Sequence, residues 1–339
     1  MPYLNEKEIK KEVYECDNKG RLNPEAIGWS RHPYHICNLR GSPLRKKRWD
    51  YWCFLNDEFA LSITLANVDY LGLASGWFYN FKTKTFLEKN IITLFGKKCK
   101  LGQKVGEDVE FNTKALKFSI KNKSNKILVD YESPKMSGKN VKANIIIEIP
   151  DPHETLNVLI PWSKKRFQFT SKQNAMPITG SITVDDQIYE FKKEKSFAIL
   201  DFGRGKWKYK TDWNWGSFSG WQNGNLIGIN LGAGWTDGTG YTENGVYING
   251  KLYKIHDEVK VNFDKNNPMN PWEARTIHTD ELYVKLMPIW DRSFNLNLGL
   301  IKAKGHQCFG YGSGTIKIDS NEYKFKDFFG FIEDCHYRW

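Results

Sequence analysis

The sequence predicts an all-β, antiparallel protein, and three observations carry that prediction. Runs of β-branched and aromatic residues follow one another from Tyr51 to the C-terminus. Clusters of Gly, Asn, Asp, Ser and Lys separate them at intervals of about 8–14 residues, the spacing of a meandering sheet. Helical periodicity is confined to residues 4–15, where Leu4, Ile9 and Val13 stand among charges.

In chain order, residues 1–24 read as an N-terminal helical extension. A first β-domain, 25–175, holds LSITLANVDYLGLASGWFYNF, KTFLEKNIITLF, KALKFSIKN, KILVDYES, VKANIIIEI and TLNVLIPW. A second, 176–339, holds GSITVDDQIYEF, NLIGINLG, GVYINGKLYKI, LYVKLMPI and GTIKIDSNEYKF. The division is placed where SKQNAMPITGS follows the basic stretch KKRFQF, so that the two units, barrels or sandwiches side by side, meet near residues 165–185. Asn249-Gly250 suits the two positive φ angles of a type I′ turn and predicts a tight hairpin. Asn56-Asp57, Asp185-Asp186 and Ser320-Asn321 are further turn centres, and residues 264–275 read as a long polar loop. The ending GFIEDCHYRW predicts a strand that closes a sheet.

No apolar run reaches the roughly 20 residues of a membrane span. MPYLNEKEIKKEVYE lacks the apolar region of a signal peptide, so a soluble, cytoplasmic protein is expected. The six cysteines, Cys16, Cys37, Cys53, Cys99, Cys308 and Cys335, form no CxxC pair, which argues for reduced thiols and against a disulfide framework or zinc ribbon. The net charge of +11 is spread over turns and exposed strand positions such as Lys97, Lys98, Lys121 and Lys123. Charge so dispersed predicts no dedicated nucleic-acid partner.

Function is expected in residues 201–251, which hold five of the thirteen tryptophans. There, large aromatic plates alternate with polar side chains over consecutive strands, a pattern that a strand with one buried face does not need. In TDWNWGSFSG a regular strand sets Trp213, Trp215 and Phe218 in an aromatic series and Asp212 and Asn214 opposite. A buried Asp212 has its pKa raised by desolvation and suits a general acid; the alternative is a structural partner of Arg204 or Lys206. Asn230, Trp235 and Tyr241 complete the binding surface, with Glu243 and Asp237 as further carboxylate candidates. Asp237-Gly238 also reads as an ordinary turn.

The N-terminal block offers Arg31, His32, His35 and Arg40, expected as an anion-binding rim to the same cavity; the alternative is a basic surface loop whose arginines tie down Asp50 or the C-terminal Glu333 and Asp334. Zinc on His32, His35 and Cys37 is disfavoured by the surrounding cations, so no metal is expected. GVYINGKL lacks the Ser/Thr of a phosphate loop, GYGSG at 310–314 lacks the helix of a dinucleotide fingerprint, and GSFSG has Phe218 where a nucleophile would stand. No cofactor is expected.

The blocks GWSRHPYHICNLRGSPLRKKRWDYWCF at 28–54, DFGRGKWKYKTDWNWGSFSG at 201–220, GWTDGTGYTENGVYINGKLYKI at 234–255 and the terminal GFIEDCHYRW resemble the family catalogued as domain of unknown function 2804. That family is similar, more loosely, to the lipocalin-like superfamily of carotenoid 1,2-hydratases, tocopherol cyclase, certain Diels–Alderases and lipid-binding proteins. The resemblance implies two calycin-like barrels or sandwiches with apolar ligands within or between them. None of the superfamily's catalytic motifs maps residue by residue onto this chain. The expectation is a protein that binds an apolar or amphipathic small molecule, with a cofactor-independent hydratase, cyclase, isomerase or lyase step driven by a buried carboxylate. A carbohydrate-active enzyme with a Trp/Asp/Glu groove and a non-catalytic lipid carrier are the alternatives.

Overall fold

The computed structural model describes residues 3–319 and 321–339, apart from the side chain of Leu298. Two large curled sheets account for nearly all of it. The first runs Thr85–Leu94, Leu71–Asn80, Phe59–Asn67, Lys46–Leu55, Phe197–Lys206, Arg166–Val184, Lys139–Glu148, Lys126–Met136, Lys117–Lys123, Val109–Asn112, with Gly28–Ser30, Leu156–Ser163 and Gln187–Phe191 beside that path. The second runs Lys251–Lys254, Gly245–Ile248, Asn225–Ala233, Lys210–Gln222, Asn321–Arg338, Ile301–Ile318, Leu282–Leu298, Trp272–Thr276, Val259–Asn262. Pairing in both is antiparallel, so neighbouring strands need only short turns, as the sequence pattern requires. The hairpin at Asn249-Gly250 is present, with φ of 49° and 79°. Asn56-Asp57 and Asp185-Asp186 also turn between paired strands; Ser320 lies outside the described residues.

Each sheet encloses its own apolar core. Phe54, Phe78, Phe111, Phe167 and Phe169 belong to the first, and Phe218, Trp272, Leu286 and Phe325 to the second. Because side chains alternate across a strand, the opposite faces are available to each other. A third cluster joins Cys53, Trp77, Tyr79 and Ile199 of the first sheet to Trp215, Phe309 and Phe331 of the second. This seam between the sheets positions the site.

Three expectations are corrected. Residues 4–15 form no helix. Their backbone groups bond across the fold instead, Ile9 N to Trp29 O at 2.7 Å and Leu4 N to His256 O at 2.8 Å, and Glu6 is buried on Lys254; tertiary pairing outweighs the modest helix propensity of so short a segment. The division between the sheets falls at Trp207–Tyr209, not near 165–185. Arg166–Val184 is one strand of the first sheet, and a bulge between Gln173 and Met176, with Ala175 at φ 53°, absorbs the residues that resemble a linker. That bulge docks on the second sheet, Asn174 Nδ2 donating to Ser217 Oγ at 3.1 Å and Ala175 N to Ser219 Oγ at 2.9 Å. The polar loop is also shorter than expected, since Trp272–Thr276 is a strand whose first residue stacks on Phe263. The C-terminal strand is central, paired on both edges.

Among the described residues no helix is long and apolar enough to cross a membrane, and all six cysteines are unpaired and buried.

Candidate active site at the seam

Strand register brings the seam's polar groups together. On the first sheet Lys172 lies opposite Asp201, and Asp201 opposite Tyr51, so all three share one face. On the second, Trp215 lies opposite Glu333 and Trp213 opposite Cys335. Two glycines make room. A Cβ at Gly203 would fall onto the Trp49 ring, and one at Gly232 onto the Glu243 carboxylate, so each large side chain lies flat across a bare stretch of backbone.

Lys172, 5% exposed, is the hub. Its Nζ is 2.9 Å from Asp201 Oδ1, 3.5 Å from Glu243 Oε2 and 4.0 Å from the centroid of the Trp215 ring. Asp201 also accepts from Thr170 Oγ1 and Trp49 Nε1, both at 3.0 Å. Glu243 Oε1 accepts from Trp235 Nε1 at 2.7 Å, and Glu333 Oε1 from Trp213 Nε1 at 2.8 Å. Asn230 ties these strands, accepting from Trp215 Nε1 at 2.8 Å and donating to the Glu243 carbonyl at 2.6 Å. Glu243 Oε2 is buried without a hydrogen-bond partner, because its contact with Lys172 is long for a charge-assisted bond.

Three carboxyls, Asp201, Glu243 and Glu333, thus surround one ammonium. Burial pushes the carboxyls of Glu243 and Glu333 each up to about 7, against the lowering pull of Lys172 and of the indole donors. For Lys172, burial lowers the pKa, but Asp201 and Glu243 outweigh it and the net shift is upward. The arrangement keeps a fixed ion pair, Lys172 with Asp201, beside two glutamic acids poised to gain or lose a proton near neutrality.

One end of the seam is walled by tryptophan. Trp207 lies 5.4 Å from Trp49, 5.1 Å from Trp162, 5.9 Å from Trp213 and from Trp235, and 5.2 Å from Trp339, centroid to centroid. Trp49, Trp213, Trp339 and Glu333 each keep part of their surface accessible.

Of the residues singled out from sequence, Glu243, Trp213, Trp215, Trp235 and Asn230 converge here. Tyr241 is half-buried and packs near Trp29 and Trp235. Asp212, expected as a buried acid, is 45% exposed on the other face of its strand, with its carboxylate 2.8 Å from His336 Nδ1 and 3.8 Å from Lys210 rather than on Arg204 or Lys206. Asn214 shares that face and bonds Asp334 at 2.9 Å; Phe218 also points that way, into the core of the second sheet. Asp237 is exposed and caps a turn, accepting from Gly234 N at 2.8 Å. The expected anion-binding rim is not formed at the seam. Arg31 is held by Glu8 at 3.3 Å and Glu154 at 3.0 Å, Arg40 and His32 are exposed, and His35 is buried, bonded to the Ala26 carbonyl at 2.8 Å and pushed by burial down to about 4. Among the described residues no group of His, Cys, Asp or Glu is arranged to hold a metal ion.

Sequence reasoning did not single out Lys172, Asp201, Trp207 or Glu333 as site residues. A signal existed in RFQFTSK, where Gln168, Thr170 and Lys172 alternate with Phe167 and Phe169. A polar stripe on a strand otherwise built for burial marks a second, functional face.

Paired curled antiparallel sheets with tryptophans and ionisable groups between them define an all-β protein built of two sheet units. The chain belongs to the family described as Domain of unknown function (DUF2804), which it matches over residues 6–339. Among solved structures it is similar to CghA with Sch210972, at 11% identity and TM-score 0.51, covering 86% of this chain and 88% of that one. A second crystal structure of CghA gives the same figures. Kievitone hydratase from Nectria haematococca gives 10% identity and TM-score 0.49 over 86% and 88%. No curated protein matches the sequence.

Proposed function

We propose that the seam binds an uncharged apolar or amphipathic small molecule against its tryptophans, and that Glu243 is the acid of a cofactor-independent hydration, cyclisation, isomerisation or elimination. The observation that carries this reading is Glu243 itself: 1% exposed, raised to about 7, with Oε2 unbonded. An acid with a pKa near the working pH is protonated often enough to donate and basic enough to recover its proton. In this reading Glu243 delivers the proton to an alkene carbon or a leaving oxygen. The faces of Trp213 and Trp235 stabilise the cation that develops, and Glu333 accepts the proton lost elsewhere or orients water. Lys172 pairs with Asp201 and restrains Glu243 from climbing further. CghA crystallised with Sch210972 supports the reading in one respect, that a similar fold accommodates a small molecule.

The enclosed position of Glu243 favours a small molecule over a polysaccharide chain, which needs an open groove. The test is native mass spectrometry of the purified protein to capture its ligand, followed by turnover of that compound or its relatives by the wild type and by Glu243→Gln. Ligand retained with turnover lost supports the acid role. Equal turnover by the variant overturns it, and a captured ligand that neither protein converts identifies a carrier.

A further inference from the structure

We infer that one end of the molecule, the end onto which the tryptophan cluster opens, is a docking surface for an anionic membrane. The register places six connections at that single end. Phe167, Lys206 and Lys46 are successive partners across the first sheet, as are Leu71 and Leu94, which puts segments 41–46, 68–70, 95–100 and 164–166 together. In the second sheet Lys210, Arg338 and Lys302 are partners, and Leu298 pairs with Ile301, which adds 207–209 and 299–300. Hydrogen bonds join five of the six into one continuous face, with 164–166 set beside it by the Phe167–Lys206 pairing. Phe95 N donates to Tyr70 O at 2.9 Å, Lys47 Nζ to Leu44 O at 3.2 Å and Val68 O at 3.0 Å, Trp207 N to Arg45 O at 3.1 Å, and Tyr209 Oη to Leu300 O at 2.6 Å.

Two properties of this face are independent of each other. Its tips are large apolar side chains in water: Leu300 is 79% exposed, Phe95 76%, Leu94 70%, Leu44 55% and Tyr209 42%. Its six segments also carry nine lysines and arginines, Lys97, Lys98 and Lys165 among them, against one acid, Asp69, which Lys46 pairs at 3.2 Å. A soluble surface rarely gathers apolar tips of this size without a partner. Cations around apolar tips match a bilayer with anionic headgroups, where the tips enter the acyl boundary and the cations stay at the headgroup level. Nucleic acid is a poorer match, since Leu44, Leu94 and Leu300 offer neither a stacking face nor a hydrogen bond.

The site lies immediately behind. Trp339 N donates to Tyr209 O at 3.0 Å, and Lys47 Nζ is 5.5 Å from the Trp339 ring. A protein docked this way presents the tryptophan wall to the bilayer, the phase in which an amphipathic ligand would be dissolved. The docking surface stands whether or not the seam is catalytic.

The test is co-sedimentation of the full chain with vesicles of phosphatidylcholine alone and with about one third phosphatidylserine. Expected is binding to the anionic vesicles at least about tenfold tighter than to neutral ones, weakening as salt rises. Phe95→Ser with Leu300→Ser, and separately Lys97→Glu with Lys98→Glu, should each lower it by about tenfold with an unchanged melting temperature. Lys82→Glu with Lys84→Glu, in the turn at the opposite end, should leave it unaltered. Several outcomes overturn the inference: no binding to anionic vesicles at low salt, equal loss in the opposite-end variant, vesicle-independent dimerisation abolished by Phe95→Ser, or binding to duplex DNA without binding to vesicles.

Discussion

Glu243 and Asp212 lie on opposite sides of the same sheet and show how much the choice of face decides. Glu243 lies across Gly232 in the seam, 1% exposed, and burial raises it to about 7. Asp212 is 45% exposed, with His336 and Lys210 beside its carboxylate. Both belong to the tryptophan-rich block that marks the functional region in the sequence. Solvent, rather than residue type or proximity to aromatics, separates a candidate proton donor from a surface ion pair. A shift of one residue in the register of Lys210–Gln222 would exchange the two faces.

The comparison is broken most severely by removing the cation of the seam. Lys172→Met leaves the largely enclosed Asp201 and the buried Glu243 without a counter-charge and should cost about 3–5 kcal/mol. Lys210→Met, on the exposed side, should cost no more than about 1 kcal/mol. Urea unfolding of both variants measures the contrast, and equal costs would show that the seam is wetter than its burial implies.

Next in size is the pH dependence. Glu243 rises from 4.5 unfolded to about 7 folded, so the folded state binds this proton more tightly. Its contribution to stability is fully present below about pH 4.5, declines as pH rises, and is exhausted above about pH 7. A shift of this size corresponds to about 3 kcal/mol. Glu243→Gln should therefore flatten part of the loss of stability between about pH 4.5 and 7, with Glu333 and the buried Glu15, also raised by burial, contributing further loss, and should lower turnover by about 10²–10⁴-fold. Melting curves across that range on both proteins give the slope. An unchanged slope means that Glu243 is not the group that titrates.

Gly232→Ala sharpens the steric side of the same contrast. The added methyl meets the Glu243 carboxylate and should displace it, at a cost of about 1–3 kcal/mol. The loss of the Trp235 hydrogen bond should appear as a changed indole fluorescence. The smallest effect belongs to Asp212→Asn, expected within about 1 kcal/mol of wild type with turnover intact. Loss of turnover in a stable Asp212→Asn protein would invert the assignment and move the chemistry to the face of His336.

The all-β class was legible because an antiparallel sheet repeats its signal locally, as a short alternating run followed by a turn, and Asn249-Gly250 carries its own conformational preference. The tryptophan block was legible for the same reason: alternation separates Trp213 and Trp215 from Asp212 and Asn214 before any fold is known. Local pattern failed where tertiary bonds replace local ones, as in residues 4–15, and where a bulge resembles a linker, as at Gln173–Met176. It also could not say which face of a strand is sealed. Lys172, Asp201, Glu243 and Glu333 come from distant parts of the chain and meet only because two sheets pack by their outer faces. Their charge states follow from that packing, since desolvation is a property of everything that surrounds a carboxyl and is written in no single stretch of sequence.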